Sequence, residues 1–459
     1  LFFRPIFYTI TCDTFDNASR KEDYSRMKQM IIHGGKPLKG DVWIGGAKNS
    51  TVSLIPASIL SRTPVTLEGV PRISDVDNLT YLLESMDVTC DFKNTTLKID
   101  PTQIQMKPLP AGKIKSLRAS YYFMGALLGR FGRAVVGFPG GDDIGPRPID
   151  QHLKGFVALG ATVENEDDQI IISAPKDGLH GAHIILAMPS VGATMNIMMA
   201  SVKAKGQTII ANAAKEPEII DLATFLNNMG AHVRGAGTDT IRIDGVDQLA
   251  AEHPHTIIPD RIEAGTYVAL AACIGNGIRI HNIIAEHLDS FLAKIEEMGV
   301  VVDTDEDSLY VYPAGDLKMV QVRTEPYPGF ATDLQQPITP VLLTAKSGEG
   351  VIIDDIYPKR IRHIPGLQAM GANIKVADNI ILIHPSPHLH GARVRADEIR
   401  AGACLMIAGL MADGTTQIDQ ADNILRGYDR IDMKLRKLGA EITFKTVPDL
   451  RKAVMIDSE

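Results

Sequence analysis

Apolar residues recur along this chain in six stretches of helical period. Each stretch is closed by the same punctuation and followed by a short alternating run. The closures are Met86-Asp87-Val88, Leu159-Gly160-Ala161, Met229-Gly230-Ala231, Met298-Gly299-Val300, Met370-Gly371-Ala372 and Leu438-Gly439-Ala440, spaced 68 to 73 residues apart. Five carry glycine, which takes a left-handed helix cap without a side-chain clash. That period is too long for a thin solenoid, so each unit reads as a small α/β subdomain.

Every unit also holds an earlier helix: Lys48 to Leu60, Leu117 to Gly132, Val191 to Gly206, Arg261 to Gly277, Leu334 to Gly350 and Ile399 to Asp413. Most end in glycine before a β-branched run such as Val351-Ile352-Ile353. The unit therefore reads strand, helix, strand, helix, strand, strand. Ala264 to Cys273 and Ala401 to Met411 hardly show a polar face, and a helix apolar all round is buried. The prediction is an α/β fold of two inside-out domains. Each would hold three repeats, helices within and sheets without, and the break falls near Asp244 to Asp260.

Length agrees, since 459 residues suit two domains. A net charge of −8 argues against a nucleic-acid surface, so any anionic ligand needs a local basic cluster. No run of eighteen apolar residues suggests a membrane span. The scattered Cys12, Cys90, Cys273 and Cys404 read as thiols of a cytoplasmic protein rather than disulfides. Residues 1–26 fit no repeat and no signal-peptide pattern. They read as an added or upstream extension, with Met27 or Met30 as a native start and residues 31–47 as the first strand and its turn.

Charged and polar residues gather where the early helices begin: Lys48-Asn49, Arg118, Ser190-Val191, Asp260-Arg261, Thr332-Asp333 and Glu398-Ile399-Arg400. Helix N-termini attract phosphate and carboxylate. N-capping by Ser190, Thr332 and Asp260 is the plainer account of any single one. Basic residues at equivalent repeat positions make capping a poor account of the whole set. The sharpest local signal is the loop Phe138 to Asp150, where Gly140-Gly141-Asp142-Asp143 precedes Arg147 between two prolines. A solvated turn is one reading. A lid that carries an acid and a fixed guanidinium to a bound anion is the other. Arg426-Gly427-Tyr428 and the pair Arg360 and Arg362 occupy similar places in later repeats.

Taken in order, Gly46-Ala47-Lys48-Asn49, Leu117-Arg118-Ala119-Ser120, the Pro139 to Asp150 loop, Thr332-Asp333 and Arg426-Gly427-Tyr428 resemble the UDP-N-acetylglucosamine 1-carboxyvinyltransferases. The likeness runs from about residue 30 to residue 447. It implies two inside-out domains: residues 48–258 with repeats one to three, and 30–47 plus 259–447 with repeats four to six. Residues 1–29 would remain as the extension. It implies transfer of the enolpyruvyl group of phosphoenolpyruvate to the 3′-hydroxyl of UDP-N-acetylglucosamine, which opens peptidoglycan synthesis. The expected protein is a cytoplasmic monomer with no cofactor, no metal, no nucleic acid and no membrane. By resemblance Lys48, Arg147 and Arg426 gather the anionic substrate, with Arg360 and Arg400 beside them, and Asp333 is the base near the sugar hydroxyl. Each charge-assisted bond there is worth roughly 1.5–3 kcal/mol. Asn49, Arg118, Pro148, Ile149, Asp150, Gln151, Ser190, Val191 and Ile356 correspond to positions that hold the UDP-sugar. Because these residues come from both halves, the resemblance implies closure of one half on the other, with the Asp142 loop as lid.

Two positions depart from the family. Asp142 stands where most members carry cysteine. If Asp142 is the general acid, keeping it protonated at pH 7 costs about 4 kcal/mol unless burial or Asp143 raises its pKa. Activity should then fall as pH rises through neutrality. Fosfomycin, which alkylates the cysteine thiolate, should fail against a carboxylate. Glu398 replaces a common aspartate, one methylene longer. The histidines of His384 to His390 read as a solvated loop rather than a metal site. His152 suits either the cleft or a helix surface. Two rivals remain, a 3-phosphoshikimate 1-carboxyvinyltransferase and a non-catalytic paralogue that binds the UDP-sugar.

Overall fold

The computed structural model describes residues 26–107, 109, 118–137, 149–166 and 169–449. The loop residues Asp142, Arg147 and Pro148 lie outside them, as do residues 1–25 and the side chain of Arg118.

The fifth unit shows the plan most plainly. A strand Gln321–Thr324 leads to the helix Thr332–Leu343, then to strand Gly350–Asp354, helix Ile364–Ala369 and the hairpin Ile374–Ala377 and Ile380–Ile383. In its sheet Gln321–Thr324 pairs in parallel with Gly350–Asp354, and the hairpin completes the other side antiparallel. Five of the six sheets have four strands in this arrangement; among the described residues the second unit shows three.

The early helices are α1 (Lys48–Ala57), α2 (Tyr122–Phe131), α3 (Val191–Ser201), α4 (Arg261–Ile274), α5 (Thr332–Leu343) and α6 (Ile399–Met411). Every residue of α6 from Ile399 to Leu410 is buried, which is why its sequence lacks a polar face. In one core α2 packs against both α1 and α3; in the other α4, α5 and α6 pack pairwise. The first core draws its apolar side chains from Ala47 to Ile257, the second from Met30 to Ile44 and Ile262 to Ile442.

Several predicted boundaries move. α3 stops at Ser201, and Gly206 (φ 87°) turns the chain into the next strand instead of ending the helix. Gly277 lies inside strand Gly275–His281 at a bulge. Arg118 opens a single 3₁₀ turn, Arg118–Tyr121, ahead of α2. The first strand begins at Arg26, inside the stretch read as an extension, because Arg26 to Gln29 pair with Pro448 to Lys445. A second strand, Leu38–Trp43, follows it and joins the fourth unit's sheet rather than the sixth.

The chain passes between the cores at two places that lie side by side. Ala47 N donates to Ile258 O (2.7 Å), and Asp260 N donates to Gly45 O (2.9 Å). Gly46 admits no side chain there, since a Cβ would sit 2.1 Å from Gly69 O. Among the described residues no helix is long and apolar enough to cross a membrane.

Candidate active site

Asp260 ties the starts of two helices together. Its Oδ1 accepts from Ile262 N and Glu263 N (both 2.9 Å), which caps α4. Its Oδ2 accepts from Lys48 N at 2.9 Å, the first amide of α1 in the other core. Glu263 in turn accepts from Gly45 N (2.9 Å) and pairs with Lys434 at 2.6 Å. The backbone at Lys48 is thereby fixed from the opposite side of the crossing.

The Lys48 side chain meets Asp75. Asp75 Oδ2 lies 3.5 Å from Lys48 Nζ, and Arg426 Nε donates to Asp75 Oδ1 at 3.0 Å. Asp75 is buried in the first turn of helix Ser74–Glu84, so one carboxylate holds two candidate cations from different cores. Sequence reading passed over Asp75. An acid in a first helical turn normally complements the helix dipole, and nothing local marks it as buried beneath two cations.

A second cluster surrounds Asp333. Arg360 Nη1 donates to Asp333 Oδ1 at 2.6 Å, while Arg400 donates to Oδ2 from Nε (3.2 Å) and Nη2 (3.0 Å). Arg360 also forks onto Glu398 (3.3 and 3.2 Å), and that glutamate is fully buried. Its extra methylene spans to a bidentate pair. Burial alone would raise the Asp333 carboxyl, but Arg400 and Arg360 hold it far below the ordinary carboxylate range. Arg400 is buried over the Tyr428 ring, and among the described residues its Nη1 has no hydrogen-bond partner. A buried guanidinium N–H without an acceptor is a donor held ready for an anion.

Thr332 does not cap α5; the N-cap is Ala331, without a side-chain bond. The Thr332 hydroxyl is occupied instead by Asp354 and Arg360. Asp354 Oδ1 also accepts from Ile356 N (3.0 Å), which connects Ile356 to the same cluster. Ser190, by contrast, caps α3 through Ala193 N (3.3 Å).

The third group belongs to the first core. Gln151 Oε1 accepts from Ala187 N at 2.8 Å, which brings Ile149, Asp150 and Gln151 beside the turn leading to Ser190 and Val191. His152 is buried, edge-on to Tyr121 with centroids 5.1 Å apart, and its Nδ1 meets Asn196 Nδ2 at 3.1 Å. It is thus neither on the helix surface nor open to solvent. Asn49 is half-buried in the first turn of α1.

The family model described as EPSP synthase (3-phosphoshikimate 1-carboxyvinyltransferase) matches residues 32–435. A UDP-N-acetylglucosamine 1-carboxyvinyltransferase of Lactobacillus acidophilus is 82% identical over 424 residues, covering 92% of this chain and 98% of its own. One of Lactobacillus johnsonii is 82% identical over 91% of this chain and 99% of its own. Among solved structures, the enolpyruvyl transferase NikO from Streptomyces tendae aligns with a TM-score of 0.84 at 25% identity, over 92% of this chain and all of that one. EPSP synthase from Acinetobacter baumannii, at 17% identity and a TM-score of 0.70 over 91% of this chain and 100% of its own, shares the fold. The repeats, the paired cations and these likenesses agree, and the chain belongs to the enolpyruvyl transferase family, among the UDP-N-acetylglucosamine 1-carboxyvinyltransferases.

Proposed function

We propose that this chain transfers the enolpyruvyl group of phosphoenolpyruvate to the 3′-hydroxyl of UDP-N-acetylglucosamine and releases phosphate, the first committed step of peptidoglycan synthesis, in the cytoplasm and as a monomer. The observation that carries the reading is Asp333, gripped on both oxygens by arginines, one of which keeps a buried N–H without an acceptor among the described residues. Such a site accepts a carboxylate or phosphate and holds a base beside it.

In this reading Lys48 and Arg426, with Arg147, take the phosphoenolpyruvate anions, while Arg400 and Arg360 lie next to Asp333. The sugar oxygen bonds to C2 and its proton passes to Asp333, while C3 gains a proton from Asp142. Phosphate then leaves C2 with its bridging oxygen and C3 returns a proton, giving the enol ether. With two arginines on it Asp333 is a weak base, because they stabilise its ionised form. A substrate anion that draws Arg400 away raises its basicity, so the base strengthens as the substrate arrives. Asn49, Arg118, Pro148 to Gln151, Ser190, Val191 and Ile356 hold the UDP-sugar, the Ser190–Val191 amides at the α3 N-terminus facing its diphosphate.

The test is phosphate release from phosphoenolpyruvate with UDP-N-acetylglucosamine or with shikimate 3-phosphate as acceptor. Release with the first alone, with a product heavier by one enolpyruvyl group, is expected. Release with shikimate 3-phosphate alone, or with neither acceptor, would overturn the reading.

A further inference from the structure

Asp354 ends strand Gly350–Asp354 and is 4% exposed, yet among the described residues no cation is hydrogen-bonded to it. Four neutral donors converge on it instead. Oδ1 accepts from Thr324 Oγ1 (2.7 Å), Ile356 N (3.0 Å) and Tyr357 N (2.8 Å), and Oδ2 accepts from Thr332 Oγ1 (2.7 Å). Oδ1 thus takes three donors and Oδ2 takes the Thr332 hydroxyl.

The Thr332 bond has a direction with consequences. A hydroxyl has one hydrogen, and here it points at Asp354. The Thr332 oxygen is left with lone pairs only, and one of them faces Arg360 Nη1 at 3.3 Å. The same Nη1 donates to Asp333. Asp354 thus orders a relay: carboxylate, hydroxyl, guanidinium, carboxylate. Its other oxygen separately holds the turn that carries Ile356.

We propose that Asp354 and Thr332 are positioning residues for the transfer: Asp354 fixes the polarity of the Thr332 hydroxyl, which aims Arg360 at Asp333, and through its second oxygen it sets the Ile356 turn against the UDP-sugar. This rests on the function proposed above and adds two residues that neither reacting group touches.

Asn at 354 separates the two arms. Asp354→Asn can keep an acceptor toward Ile356 and Tyr357 but turns an amide N–H₂ toward Thr332, so the hydroxyl spends one lone pair on that amide, its hydrogen is no longer pinned to residue 354, and the oxygen no longer holds one fixed orientation toward Arg360. Expected for this variant is a fall in kcat of about tenfold, with the KM for UDP-N-acetylglucosamine within about twofold of wild type. Asp354→Ala frees the turn as well and raises that KM. Thr332→Val should match Asp354→Asn, the double variant should be no worse than Thr332→Val, and Thr332→Ser should recover most of the loss. Thr332 is half-buried at a helix start, so its variants serve even where an Asp354 variant does not fold. Wild-type kcat in Thr332→Val, or additive losses in the double variant, would overturn the relay. A wild-type enzyme without UDP-N-acetylglucosamine-dependent phosphate release would instead overturn the proposed function.

Discussion

In the proposed reaction Asp142 and Asp333 ask opposite things of the same functional group, one proton held and one given up. If Asp142 is the acid, wild-type turnover falls as pH rises through neutrality; a flat profile from about pH 5 to 9 would refute the role. Exchanging it for a thiol changes the inhibitor chemistry too. Asp142→Cys is expected to gain time-dependent inactivation by fosfomycin with a mass adduct on that peptide, and the wild type is expected to show neither. His363 supplies a stability prediction. It is fully buried, and burial, with Arg360 adding, pushes it down to about 3. A lowered folded pKa favours the neutral ring in the fold, so this contribution is complete above the unfolded value of about 6.5 and is lost as pH falls toward 3. Urea midpoints at pH 7, 5 and 4 should therefore decline less steeply in His363→Leu than in wild type.

Among the elements, the six late-helix closures share one backbone state. Gly160, Gly230, Gly299, Gly371 and Gly439 have φ between 93° and 103°, and Asp87, which fills the place in the first unit, also lies on the left-handed side at 63°. Gly230 has open space where a Cβ would go, so Gly230→Ala should cost about 1–2 kcal/mol through the backbone alone. Asp87→Gly should gain up to about 1 kcal/mol, since its pair with Lys107 is exposed. Denaturant unfolding measures both. This shows what the chain discloses about itself. A left-handed turn must be written locally, in glycine or a short polar residue, so the repeat and unit order could be read directly. The inner helices declared themselves by lacking a polar face. Their ends were less legible, because Gly206 turns the chain several residues after its helix has stopped and Gly350 already opens the next strand. Lys48, Arg400 and Arg426 stood out as cations at helix starts and connecting segments. Their partners did not, since Asp75 is 351 positions from Arg426 and neither sequence neighbourhood implies the other.

For the molecule as a whole, Asp260 is the residue on which both cores lean. Asp260→Ala removes the cap of α4 and the acceptor of Lys48 N together, so a loss of about 2 kcal/mol is expected in unfolding, more than most single caps give. The KM for phosphoenolpyruvate should rise in the same variant, because Lys48 loses its anchor; a stability loss with unchanged KM would separate the two effects. Strand Arg26–His33 bears on a different matter, the order of events during synthesis. It lies between Thr415–Asp419 and Glu441–Pro448, and Gln29 bonds Asp419 across 390 positions. On the ribosome this strand appears early and must wait, both edges unpaired, until its two neighbours have been made. A nascent chain halted after Ile258 would hold every residue of the first core but almost none of the second. The strands that shelter Arg26–His33 thus emerge long after it, and the half that bears Asp333, Arg360 and Arg400 is completed only once they have been made.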